Sequence, residues 1–156
     1  MATAYYPRTW QSRYMAVVAY LPTDDAVNPF AGSVQLKTSP FVVSSPPPNI
    51  RWVAHVSAEL AKTAEPLVLV FAGAQAVHAP ALGFSRRSLR RPAVAYVLID
   101  PMLPQVGGDY GDWPDAPVTV LLTESATELA KEAALQSRLR GWTVTNDPLT
   151  KVLENY

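Results

Sequence analysis

The chain has 156 residues, 49% of them apolar and 17% charged, which suits one domain with a sizeable core. Thirteen basic residues balance thirteen acidic ones, which argues against a nucleic-acid-binding surface. The absence of cysteine excludes disulfides, a thiolate nucleophile and Cys-ligated zinc, and no apolar run approaches the ~20 residues of a membrane helix. The first residues, MATAYYPRTWQSRYMAV, lack the charged start, apolar stretch and small-residue cleavage site of a secretory leader, so a cytoplasmic location is expected. Residues 1–14, with Tyr5, Tyr6, Trp10 and Tyr14, read as an aromatic arm on a single domain spanning 1–156.

In chain order, 14–20 (YMAVVAY) and 41–44 (FVVS) are short β-rich runs. After Pro46, Pro47 and Pro48, Asn49 is placed to cap a helix over 49–64 with Val53, Val56, Leu60 and Ala64 on one face. Residues 66–72 (PLVLVFA), 93–99 (AVAYVLI) and 117–123 (PVTVLLT) are unbroken and rich in valine, the pattern of strands buried on both faces of a parallel sheet. A helix is expected over 74–90, irregular or kinked at Pro80 and Gly83. Ser125 and Glu128 match a capping box that opens a helix over 125–140. Residues 142–145 form a last short strand, and Asp147 with Pro148 suits the start of a final helix. The alternation of strands and helices predicts an α/β fold with a mostly parallel, doubly wound sheet and helices on both faces.

The runs LVLVFAGAQAVHAPALG (67–83), RRPAVAYVLIDPMLP (90–104), DWPDAPVTVLL (112–122) and RGWTV (140–144) follow one another in an order that resembles the α/β-hydrolase family, in particular its small bacterial members. The resemblance spans 52–152 and implies a reduced hydrolase-like domain with no cap domain. In that family the nucleophile stands in a sharp strand-to-helix elbow after the central strand. The alignment puts Ala74 there, with Gln75 one residue further on, and neither side chain can attack a carbonyl. The family's histidine would follow the last strand, where this chain has Thr145-Asn146-Asp147-Pro148; its two histidines are His55 and His78. Glu124 can fill the acid position. Fewer edge strands than the family leave an unpaired edge, so homodimerisation is expected.

The resemblance places a pocket above the strand ends, lined by Tyr20, Leu21, Gly73, Ala74 and Met102. The glycine-rich loop 107–115 either forms a lid, with Tyr110 and Trp113 on the ligand, or is a plain exposed loop. Gln75, His78 and Asp100 are the candidate catalytic residues. His78 offers acid/base chemistry or a hydrogen bond to a carbonyl, against a structural role satisfied by backbone; Asp100 is weighed against a turn-tying role. Gly83-Phe84-Ser85 has a G-x-S look outside its strand–turn–helix context. His55 with Glu59 lacks further ligands, HExxH is absent, and neither a metal nor a cofactor is expected. Arg86, Arg87, Arg90 and Arg91 form the basic cluster, either an anion grip or a solvated helix C-terminus complementing the dipole.

These features imply a non-hydrolytic tailoring protein of isomerase, epimerase or cyclase type. It would act on a small, largely apolar natural-product intermediate, or a peptide one, by orientation and by backbone donors at Gln75 and the Leu21 turn. The alternatives are a catalytically dead binding or partner subunit and a hydrolase with an unrecognised nucleophile. Nucleic acid and membrane are not expected partners.

Overall fold

The computed structural model describes residues 16–23 and 40–156; the aromatic arm lies outside the described residues. The valine-rich runs become the middle of a parallel sheet. Its strands are β1 (Val17–Tyr20), β2 (Phe41–Val42), β3 (Leu67–Ala72), β4 (Ala95–Ile99), β5 (Val118–Leu121) and β6 (Thr143–Thr145). Among the described residues the order is β2-β1-β3-β4-β5-β6, and each neighbouring pair is parallel. No helix of the described residues is long and apolar enough to cross a membrane.

Alternation along β3 divides two cores. Leu67, Leu69 and Phe71 join Tyr96 and Leu98 under Val56 and Leu60 of α1 (Trp52–Leu60) and Ala79 and Leu82 of α2 (Ala79–Ser88). Val68, Val70 and Ala72 join Val97 and Ile99 on the opposite face, where Val152 and Leu153 of α4 (Leu149–Leu153) cover them. Each apolar run therefore feeds both layers, as a strand sandwiched between helices must. The remaining helix, α3 (Glu128–Leu139), packs beside edge strand β6.

Four local expectations are corrected. Asn49 does not cap α1. It sits at φ +70° behind Pro48, and Ile50 N–H bonds to Pro47 O at 3.2 Å, a turn that suits proline followed by asparagine. The irregularity expected within 74–90 falls just before Pro80, and the helix runs on through Gly83. A 3₁₀ turn, Gly73–His78, runs into α2, where Pro80 lies in the first turn and its missing N–H does no harm. Gly83 is there for space: a Cβ would press on the Tyr96 hydroxyl and lie 2.9 Å from Trp113 Cδ1. The cap of α3 is Thr127, which accepts from Ala130 N at 3.1 Å, rather than Ser125. The final helix starts one residue later than expected, with Pro148 at its N-cap.

The arginine cluster is an internal clamp. Arg86 is 1% exposed; it donates to Leu60 O at 2.8 Å and to Arg91 O at 3.1 Å. Arg91 reaches toward Ala61 O and Thr63 O at the same helix end. Cations at the C-terminus of α1 satisfy carbonyls that the helix itself leaves open. Burial, and then Arg91, push the Arg86 guanidinium below its ordinary pKa. Arg87 pairs with Asp115 at 3.1 Å and donates to Tyr110 O at 2.9 Å, which fastens loop 107–115 to α2.

Candidate functional site

Strand register decides what meets at the sheet's carboxyl edge. Ala72 faces Ile99, Ile99 faces Leu121, and Leu121 faces Thr145. The first residues beyond the strands, Gly73, Asp100, Leu122 and Asn146, therefore stand abreast. Parallel α/β sheets bind ligands at this edge, beside the point where the strand order reverses. Here the reversal lies between β1 and β3, since the chain steps from β1 out to β2 and returns to β3 on the other side of β1.

A cleft of about 1030 Å³ opens along that row, the upper end of the ~300–1,000 Å³ usual for small-molecule sites. Its floor holds Ala72, Ile99 and Leu121, and the 3₁₀ turn contributes Gly73 and Ala74. Asp100, Pro101 and Met102 form one wall, the 122–127 loop and the start of α3 a second, and Asn146 to Leu149 a third. Three carboxylates, Asp100, Glu124 and Asp147, share this lining with one ammonium, Lys131. Asp147 lies 3.8 Å from Lys151, and Lys131 lies 3.3 Å from Glu128.

Backbone geometry marks two lining residues. Gly73 has φ +60° directly after β3, and its carbonyl accepts Met102 N–H at 3.1 Å. Asp100 has φ +43°. Its Oδ1 accepts Thr123 N–H at 2.9 Å, and Thr123 Oγ1 donates to Oδ2 in a close contact. Ser125 Oγ lies 3.1 Å from Thr123 Oγ1. The Thr123 hydroxyl has one proton and gives it to the carboxylate, so Ser125 is the donor in that second bond. A Ser125–Thr123–Asp100 chain thus ties the ends of β4 and β5 together on the cleft wall.

Of the sequence-predicted residues, Gly73, Ala74, Asp100 and Met102 line the cleft. The others do not. Tyr20 and Leu21 lie buried in opposite cores, and the Leu21 N–H is taken by Val70 O at 3.2 Å, so it is not turned to a ligand. Gln75 is 8% exposed and lies behind the elbow. His78 stacks on Trp52, with ring centroids 5.0 Å apart, and burial pulls its pKa below the ordinary value. Trp113 is 1% exposed, edge-on to Tyr96 at 5.2 Å and to Trp142 at 5.6 Å. Tyr110 meets Phe84 at 6.0 Å. The 107–115 loop is therefore pinned over α2 and does not close the cleft.

The residues that sequence reasoning passed over as lining are Thr123, Ser125, Thr127, Leu129 and Asn146 to Leu149. The available signal was position: each lies within a few residues of a strand's carboxyl end or on the helix entered from it. Among the described residues no group of three or more histidines, aspartates or glutamates is arranged to hold a metal ion. No protein-family model, curated protein or solved structure matches the chain.

Proposed function

We propose that this protein is a reduced α/β-hydrolase-like protein that works without covalent chemistry. It binds a small, largely apolar intermediate of natural-product type in the cleft and promotes an isomerisation, epimerisation or cyclisation by orienting it. The observation that carries this is Gly73. It holds a left-handed φ of +60° immediately after the central strand and lines the cleft, the conformation and place in which the resembled family keeps its nucleophile. On this reading the nucleophile position falls on Gly73 rather than Ala74, a residue without any side chain.

The other triad positions support the same reading. The family's acid and base loops correspond to those after β5 and β6, which bring Glu124 and Asn146–Asp147 to the same cleft. Neither of the chain's two histidines lines it. Across three strand spacings Asn146 stands about 14 Å from Gly73, and the chain enters α4 within three residues, so no long loop carries a base inward. What the cleft retains is an apolar floor, and the amide of Ala74, the residue after the elbow, is the family-type donor to a ligand oxygen. Such a site contributes through proximity and exclusion of water.

The test is binding. A panel of apolar lactones and cyclic ketones is titrated and followed by NMR shifts of cleft amides. Ala74→Leu, at an exposed lining position, should abolish those shifts while leaving the melting temperature unchanged. Panel-wide silence, or shifts indifferent to Ala74→Leu, would refute the reading. The Ser125–Thr123–Asp100 chain favours a second reading, a hydrolase whose nucleophile is Ser125. A fluorophosphonate adduct on Ser125, seen by peptide mass spectrometry and lost in Ser125→Ala, would select it.

A further inference from the structure

The three carboxylates on the cleft lining are not equivalent. Asp100 has both oxygens engaged, Oδ1 by Thr123 N–H and Oδ2 by the Thr123 hydroxyl. Asp147 lies 3.8 Å from the Lys151 ammonium. Glu124 makes neither a hydrogen bond nor an ion pair among the described residues, and the cleft's one ammonium, Lys131, sits on Glu128 instead. What Asp100 holds is the place of Glu124. Thr123, fastened to that carboxylate, accepts Ala126 N–H on its own carbonyl at 3.2 Å, which closes a turn with Glu124 and Ser125 at its two corners. Thr127 then caps α3. An uncommitted carboxylate therefore stands on a turn anchored at both ends, as a positioned proton acceptor must. Across the cleft is the amide of Ala74. Only β4 separates β3 from β5, so the backbones at Gly73 and Leu122 stand about 10 Å apart, which leaves room for a small cyclic ligand between amide and carboxylate.

Building on the proposed function of the cleft, we propose that Glu124 is its general base and that the ligand is an enolisable cyclic ketone. The ketone oxygen accepts Ala74 N–H. The Glu124 carboxylate takes a proton from the carbon beside the carbonyl. The C–H bond breaks, an O–H bond forms on Glu124, and the electron pair moves onto the carbonyl oxygen, where the amide stabilises it. Reprotonation of the carbon restores the ketone, and a proton delivered to the opposite face, or to the far end of a conjugated double bond, gives the epimer or the isomer. Because Glu124 is exposed, its proton exchanges with water before return, so turnover in heavy water labels the ketone. Proton transfer of this kind selects epimerisation or isomerisation over cyclisation, with Asp100 as the positioning residue behind the base.

Menthone, an apolar ketone that epimerises through its enolate, is the probe. The full chain is incubated with it in heavy water, deuterium uptake beside the carbonyl is followed by NMR, and binding is read separately from cleft amide shifts in ordinary water. Wild type should exchange that proton faster than buffer. Glu124→Gln should slow the protein-dependent exchange by ~10²-fold or more while menthone still shifts the Ala74 amide. Glu124→Ala should recover exchange when formate is added, which a merely structural role for the glutamate would not allow. Wild-type exchange at the buffer rate with amide shifts intact, exchange indifferent to Glu124→Gln, amide shifts lost together with exchange in Glu124→Gln, or no rescue by formate would each overturn the inference and leave the binding cleft standing. Menthone that shifts no cleft amide while other apolar ligands do would also overturn the inference alone. Silence of every ligand would overturn the cleft reading and this inference with it.

Discussion

Gly83→Ala should destabilise the protein even though alanine is the better helix former. At Gly83 an added Cβ presses on the Tyr96 hydroxyl and lies 2.9 Å from Trp113 Cδ1 and 3.3 Å from its Nε1. Neither ring can swing out. Tyr96 is fully buried and donates to Asp115 Oδ1 at 2.6 Å, Asp115 is held by Arg87, and Trp113 is wedged edge-on between Tyr96 and Trp142. Overpacking of this kind costs ~1–3 kcal/mol, and the gain in helix propensity returns ~1 kcal/mol. Two contacts under 3.0 Å against pinned rings put the cost in the upper part of that range, ~2–3 kcal/mol, so the net expectation is a loss of about 1–2 kcal/mol, or about 2–8 °C in melting temperature for a chain of this length. Urea unfolding followed by tryptophan fluorescence measures it. Tyr96→Phe removes the nearest atom, so the cost of Gly83→Ala should fall by about 0.5–1 kcal/mol in that background. A Gly83→Ala protein as stable as wild type, or one whose loss is the same with phenylalanine at position 96, would show that α2 is free to lift and that the packing argument is wrong.

Other outcomes follow from the same geometry. Arg86→Leu strips its charged donors from Leu60 O and Arg91 O and should cost about 2–4 kcal/mol in urea unfolding, with Arg86→Lys intermediate. Thr127→Ala should cost about 1 kcal/mol and Ser125→Ala less than about 0.5 kcal/mol; the reverse order would restore the cap to Ser125. The His78 pKa lies below its unfolded value, so the unfolded chain takes up a proton first as pH falls. Stability tied to His78 is intact above the unfolded histidine range, falls as pH drops through about 6.5, and levels off once the folded state is also protonated. His78→Phe should flatten that part of the melting temperature–pH curve relative to wild type, and identical curves would contradict the assignment.

How much the sequence disclosed depends on whether a feature is local. The strands of β3, β4 and β5 were legible because a run buried on both faces must be continuously apolar, and LVLVFA and AYVLI are. Their parallel arrangement was legible from the alternation of strands and helices, and the six-stranded parallel sheet agrees with it at that coarse level. Gly83 was misread because a glycine in a helix reads as a break until Tyr96 and Trp113 are known to press on it. Arg86 looked solvated because its partners are carbonyls at the end of another helix, 26 residues away, which no local pattern marks. Trp113 looked like a lid residue because it follows glycines, yet an indole of that size does most for stability inside. In the proposed reading the elbow shifts by one residue, from Ala74 to Gly73, because FAGAQ admits either register by composition. Only the backbone dihedral distinguishes Gly73 from Ala74. The cleft's far walls, Thr123 to Thr127 and Asn146 to Leu149, needed the strand register before they could be brought together.

The most direct test of the central claim is ester hydrolysis by Gly73→Ser. That change puts a hydroxyl at the turn after β3 with neither histidine on the cleft. With p-nitrophenyl butyrate as probe, wild type and Gly73→Ser should both stay at the background rate, with no burst of p-nitrophenol. A stoichiometric burst from Gly73→Ser followed by turnover would mean that a complete hydrolytic apparatus still surrounds Gly73, and would contradict the account.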